Sequence, residues 1–311
     1  MPPEDTVQID NAVVSDSSAY LLSAGTIFLW TLGVIIAKAV RDDIPLIGLS
    51  FMRWSVAVLF MLPFVWKELG RNIDVIRNNA RLLTFQGVLL VSSSTMLFYS
   101  VNYTTAINAT LVNAAQPMAT GIIAWLILRE SLNRLQIIGV ALAAVGVVLM
   151  ITKASWSVLI TLDFNAGDLI LVLAVIGYGW YSTNLRKLPH TLSKLAQLTI
   201  MLTMGCLLMS PVFIAESILV GPFPLNMESV TAVVSIALLV SIVAMSMWTK
   251  ANLLIGPSRA AVFVCLMPLY GAIMATLFLG ESLQVYHVLG AGFVCCGIFL
   301  VVHRSRRARD D

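Results

Sequence analysis

Amide and hydroxyl side chains recur through one apolar stretch at Asn102, Thr110, Asn113, Gln116 and Thr120. Their spacing puts most of them on one face of a helix. Such a face inside a bilayer cannot look onto lipid, because nothing there would satisfy its polar groups. It looks either onto a ligand-holding cavity or onto a neighbouring helix that uses the amides as glue. Arg53 is the one charge placed deep within an apolar run. Inserting it carries a penalty of about 2.5–3.5 kcal/mol, so protein, water or carbonyls must shield it. Its two readings are an anchor for a carboxylate or phosphate, and a structural arginine bonding carbonyls at a helix junction. Trp30, Tyr99, Tyr178, Trp180, Tyr181 and Trp248 are candidate cavity walls, with Asn184 one turn beyond Trp180. Rings of this kind stack on apolar groups or hold an amine by cation–π contact. Pro117 and Pro268 fall in mid-span, where each removes a backbone donor and predicts a kink or hinge.

These side chains must be positioned by membrane helices. The chain has 311 residues, of which 59% are apolar and only 11% charged. Soluble domains carry roughly 25% charge, so a core this large could not be covered in water. A net charge of +3 with scattered basic residues argues against disorder and against nucleic-acid binding. A helix needs about 20 residues to cross the hydrocarbon layer. Ten stretches meet that requirement, near 19–40, 44–66, 82–101, 106–128, 132–151, 168–185, 194–215, 230–249, 257–279 and 283–302. The fold expected is therefore all-α and integral to the membrane.

Lysine and arginine in the short loops orient the spans. Lys67, Arg71, Arg129, Arg186 and Arg304 lie among fifteen basic residues on one side, against Lys38, Arg41 and Lys153 on the other. The basic side is expected to face the cytoplasm and to carry both termini, as an even number of spans requires. Residues 1–18 hold Glu4, Asp5, Asp10 and Asp16 without a basic residue. That is the opposite of a signal peptide, and the segment reads as a disordered acidic cytoplasmic tail. The remaining division is a five-span unit over 19–151, an external linker over 152–167, a second five-span unit over 168–302 and a basic cytoplasmic tail over 303–311.

The two units repeat one another. Pro117 and Pro268, Glu130-Ser131-Leu132 and Glu281-Ser282-Leu283, Gly139 and Gly290, and Gly146 and Gly297 are all 151 positions apart. Five spans per unit place the second copy upside down. Arg129 and Arg134 flank the first Glu-Ser-Leu, whereas Gly280 and Val285 stand in their places in the second. The glutamates and serines of these loops read as caps at the positive ends of the following helices. Inverted repeats are a transporter feature, with the ligand held near the midplane between the halves. At the same offset Asn113 becomes Val264, Gln116 becomes Met267 and Thr120 becomes Gly271. A cavity between these helices would have one amide-rich wall and one apolar wall bearing Met267 and Tyr270. That asymmetry predicts an amphiphilic small-molecule substrate.

Other chemistry finds no support. Cys206, Cys265, Cys295 and Cys296 lack metal-ligand spacing and read as packing residues. No metal site, cofactor or catalytic motif is expected, so an enzyme is not the reading. All sixteen carboxylates fall in tails, loops or span ends, which leaves no obvious proton relay and favours uniport or exchange.

The stretch from Tyr103-Thr104-Thr105-Ala106 through Pro117 to Arg129-Glu130-Ser131-Leu132, Gln136, Gly139 and Gly146 resembles the drug/metabolite transporter superfamily, specifically its ten-span EamA-type members. Gly256-Pro257 through Pro268 and Gly280-Glu281 to Gly290 repeats the pattern, and Pro45, Arg53, Pro63 and Gly167-Asp168 fit it. The resemblance implies secondary transport of a small metabolite, often amino-acid efflux, across the cell membrane through a cavity between the halves. It favours the structural reading of Arg53. Alternatives are uptake of a similar compound and a channel-like or non-transporting membrane protein, acting as a monomer or a homodimer.

Overall fold

A computed structural model describes residues 16–40, 43–100, 102–103, 112–113, 115–129, 132–153, 155–160, 166–279 and 284–310. Most of the acidic tail, Thr110, the two Glu-Ser pairs and part of the external linker lie outside these residues. Among the described residues eight helices are long and apolar enough to cross a bilayer: Ser17–Ala37, Leu46–Arg71, Ala80–Ser100, Ala166–Lys187, Lys194–Leu219, Met227–Ile255, Pro257–Met274 and Val285–Val302. The shorter apolar helices Gln116–Leu128 and Arg134–Met150 complete the bundle as spans four and five of ten in chain order. Span ten continues as helix to Asp310. That takes it through the stretch expected as a tail, where basic residues suit the negative end of a helix.

Local sequence sets several of the helix starts. Asn133 opens span five with a reciprocal capping box: its side chain accepts from Gln136 N at 2.9 Å, and Gln136 Oε1 accepts from Asn133 N at 3.0 Å. Ser193 caps span seven by accepting from Ala196 N at 3.1 Å, and Asn226 caps span eight by accepting from Ser229 N at 2.8 Å. Span two follows Pro45, whose side chain supplies no cap.

Spans five and ten pack along a line of glycines. A Cβ on Gly139 would stand 2.6 Å from the Gly297 carbonyl, and one on Gly146 would stand 2.6 Å from that of Gly290. The early residue of one helix meets the late residue of the other, so the two run antiparallel. Exchanging each glycine of the first contact for its repeat mate 151 positions away converts it into the second, as a two-fold axis between the helices requires. Corresponding helices that run antiparallel make the two halves inverted copies.

Spans two and seven obey the same symmetry in a register not read from the sequence. Each helix has 26 residues, Leu46–Arg71 and Lys194–Leu219. Met61 and Met209, Pro63 and Pro211, and Glu68 and Glu216 are all 148 positions apart. The second copy therefore carries three more residues between this helix and the Pro117/Pro268 helix. The two helices pack against each other, while span one lies on spans eight and nine as span six lies on spans three and four.

Two helices break their regular winding. Span eight passes through a π-helical stretch, Ile236–Ala244. Span nine runs as α-helix over Pro257–Ala261, as 3₁₀-helix over Val262–Leu266 and as α-helix again over Met267–Leu279. Pro268 stands in the first turn of that last segment, and Pro117 in the first turn of Gln116–Leu128. At Pro117 the proline loses no helical hydrogen bond, because first-turn N–H groups have no intrahelical acceptor. Pro117 therefore marks a helix start at mid-span, whereas Pro268 follows the 3₁₀ stretch within a run that stays helical from Pro257 to Leu279.

Candidate functional site

Seven spans converge on one central cavity. Spans one, two and three line it with Trp30 and Val34, with Arg53 and Trp54, and with Ser93, Ser94, Leu97 and Phe98. Asn113 and Gln116 line it at the start of the span-four helix. Spans six, eight and nine close it with Ala174, Val175 and Tyr178, with Val240 and Met245, and with Val264 and Met267. The space left for water-sized molecules is about 60 Å³.

Arg53 is the polar centre of this cavity and is 1% exposed. Its Nη1 donates to Ser241 Oγ at 3.1 Å, and its Nη2 donates to Ser94 Oγ. The guanidinium carbon lies 4.1 Å from the Trp54 ring centroid and 4.7 Å from that of Phe98. Among the described residues the Nε proton has no acceptor. Among the described residues no carboxylate pairs with this cation. Stacking between two rings suits a guanidinium, which is weakly hydrated and planar. Ser241 reaches it from the π-helical stretch of span eight, a form of winding that often accompanies functional sites.

An aromatic cluster backs the opposite wall. Trp30 meets Tyr178 edge-on with centroids 5.3 Å apart and meets Trp248 at 4.9 Å. Tyr178 in turn packs on Tyr181 at 5.7 Å, and its hydroxyl donates to Met245 Sδ at 3.2 Å. Trp248 is fully buried behind Trp30 and donates Nε1–H to Ser182 Oγ at 3.1 Å.

The residues expected to line a cavity thus divide into three groups. Trp30, Arg53, Asn113, Gln116 and Met267 are brought together around it. Tyr181 and Trp248 stand behind its walls. Tyr99, Trp180, Asn184 and Tyr270 lie elsewhere. Trp180 is 41% exposed on the outer face, because it is two residues from Tyr178 and so on another side of the helix. Asn184 is buried and donates to the Trp180 carbonyl at 3.0 Å. Tyr270 meets Phe28 edge-on at 5.6 Å. Tyr99 shares a 2.8 Å hydroxyl hydrogen bond with Tyr103 and lines a separate groove with Thr95 and Met209. Trp54, Ser93, Ser94, Phe98 and Ser241 were not singled out from the sequence. The run Ser92-Ser93-Ser94-Thr95 in span three carries a signal for two of them. Nothing in the sequence marks Ser241.

The profile of the EamA-like transporter family matches the chain twice, over residues 17–152 and 165–303. The chain belongs to the EamA-like transporter family. It is similar to the uncharacterized transporter YetK of Bacillus subtilis, 25% identical over 305 residues that cover 95% of this chain and 90% of that protein. An uncharacterized transporter of Archaeoglobus fulgidus is 27% identical over 307 residues, covering 94% of this chain and all of the relative. A protein of Escherichia coli named "Probable amino-acid metabolite efflux pump" is 22% identical over 298 residues, 92% of this chain and 95% of that one. A crystal structure 16% identical in sequence superposes with a TM-score of 0.71 over 94% of this chain and 99% of its own. At that identity it supports the fold alone. The EamA-like chain is thus a multi-pass membrane protein of a transporter family, and such a protein carries a small-molecule substrate across the bilayer.

Proposed function

We propose that this EamA-like protein is a secondary transporter that moves a small amphiphilic metabolite, an amino acid or a related carboxylate, out across the cell membrane. Both termini would face the cytoplasm, and transport would proceed by alternating access around the central cavity. The observation that carries the reading is the make-up of the cavity. It joins Arg53, a cation with no carboxylate partner among the described residues, and amides at Asn113 and Gln116 to a wall of Trp30, Tyr178 and Met267. A carboxylate would meet Arg53, whose Nε–H lacks an acceptor among the described residues, and the apolar part of the substrate would lie on the rings. The efflux direction takes its support from the name of the Escherichia coli relative.

Thermal melting of the purified protein against amino acids, amines, carboxylates and nucleotides tests this reading. A ligand at 100 times its Kd adds about 2.7 kcal/mol of stability if it binds only the folded state. Stabilisation is expected from amphiphiles bearing a carboxylate and is expected to vanish in Gln116→Leu. Stabilisation by amines alone, or stabilisation that survives Gln116→Leu, would count against the cavity as the binding site.

A further inference from the structure

Spans two and seven hold each other at both ends by a pair of glutamates. Near the end of span two, Glu68 accepts from Ser193 N at 2.5 Å through Oε1 and from Ser193 Oγ at 2.7 Å through Oε2. Ser193 is the N-cap of span seven. Near the end of span seven, Glu216 accepts from Gly48 N at 2.6 Å through Oε2 and from Ile47 N at 3.2 Å through Oε1. Those N–H groups belong to the first turn of span two, which Pro45 leaves without a side-chain cap. Each carboxylate thus sits at the positive end of the partner helix and accepts two hydrogen bonds there, a favourable place for a negative charge.

The two devices are symmetry mates. Glu68 is residue 23 of its 26-residue helix and Glu216 is residue 23 of its own. The residues that precede the two target helices, Pro45 and Ser193, are also 148 positions apart. Because the helices are antiparallel, one contact lies at the end of the bundle that carries the termini and the other at the opposite end.

We propose that Glu68 and Glu216 are alternating latches, each holding the carrier shut at one face of the membrane. The proposal rests on the alternating-access reading given above. In an inverted-repeat carrier the two halves exchange conformations between the inward-open and outward-open states. A contact that closes one face therefore requires an equivalent contact at the other. These carboxylates meet that requirement in position, in chemistry and in the helices they join. Opening a face separates the glutamate from its helix N-terminus there and leaves the other pair engaged. Both side chains are half-buried, so water can take over their hydrogen bonds when a latch releases.

The test reads which face of the cavity is open. Cys206, Cys265, Cys295 and Cys296 are replaced by alanine, and a reporter is placed in the cavity wall by Ala174→Cys. A membrane-impermeant thiol reagent is then applied to each face of the membrane in turn. The reporter alone is expected to react from both faces. Reaction from one face only, or from neither, would overturn alternating access and the latches with it. Glu216→Ala is expected to raise the ratio of labelling from the Glu216 face to that from the Glu68 face about tenfold, the scale of one charge-assisted hydrogen bond. Glu68→Ala is expected to move the ratio in the opposite direction. An unmoved ratio in both variants, or a shift of one sign in both, would overturn the latches and leave alternating access standing. Glu216→Gln and Ser193→Ala, which remove less, should move the ratio with the same opposite signs. They decide the question if an alanine variant fails to fold.

Discussion

Arg53 is the one charged side chain among the described residues that line the cavity. A buried guanidinium that, among the described residues, is held by the hydroxyls of Ser94 and Ser241 and by two ring faces retains the capacity to bind an anion. Arg53→Lys keeps the charge but loses the planar fork. It is expected to weaken carboxylate binding about 10- to 100-fold, on the scale of one charge-assisted hydrogen bond, as read by ligand titration of melting temperature. Unchanged affinity with a lowered melting temperature of the free protein would assign Arg53 to structure alone. Asn113→Leu and Gln116→Leu approximate the side-chain volume while deleting the amide. Transport should cease in both, with melting of the free protein unaltered, and continued transport would remove that wall from the site. The sequence marks these amides and the arginine because polar groups are conspicuous in a membrane helix. It misplaces Trp180 because aromatic residues on a span that is apolar all round carry no label for the face they occupy, whereas Tyr178, two positions away, reaches the cavity.

The helix pairs set what each span tolerates. Gly139 and Gly297 bring backbones into contact, and a methyl group on Gly139 would meet the Gly297 carbonyl at 2.6 Å. Backbone cannot swing away as a side chain can, so Gly139→Ala is expected to destabilise by about 1–3 kcal/mol, the usual cost of overpacking. Gly70 lies in the last turns of span two, and a methyl group there would have nothing within 4 Å. Gly70→Ala is expected to add about 0.5–1 kcal/mol through reduced backbone freedom in the unfolded chain. Thermal melting in one detergent distinguishes the two, and equal effects would refute close contact between spans five and ten. The glycine register was legible at an offset of 151 because several matches share it. The register of spans two and seven was not, since Met61, Pro63 and Glu68 are three matches at another offset within a generic apolar helix. The π-helical stretch of span eight has no local signature either. That stretch packs against spans one and two.

The whole molecule must move to transport anything. A cavity with about 60 Å³ for water-sized molecules is far below the roughly 300–1,000 Å³ typical of a pocket that encloses a small organic ligand. Binding a metabolite therefore requires the walls to separate, and on the alternating access proposed above the inverted halves would do so in two equivalent ways, one toward each face. A carrier working this way reorients once per substrate molecule, and a substrate on the far side lets it return loaded. In proteoliposomes, labelled substrate should enter at a saturable rate, and preloading unlabelled substrate should accelerate that entry. A continuous pore offers no such coupling, because its two mouths are open together and the far side only adds back-flux. Acceleration that disappears in Gln116→Leu would tie the coupled step to this cavity. Non-saturable entry insensitive to preloading would mean that the two halves, despite their inverted symmetry, form a passive path.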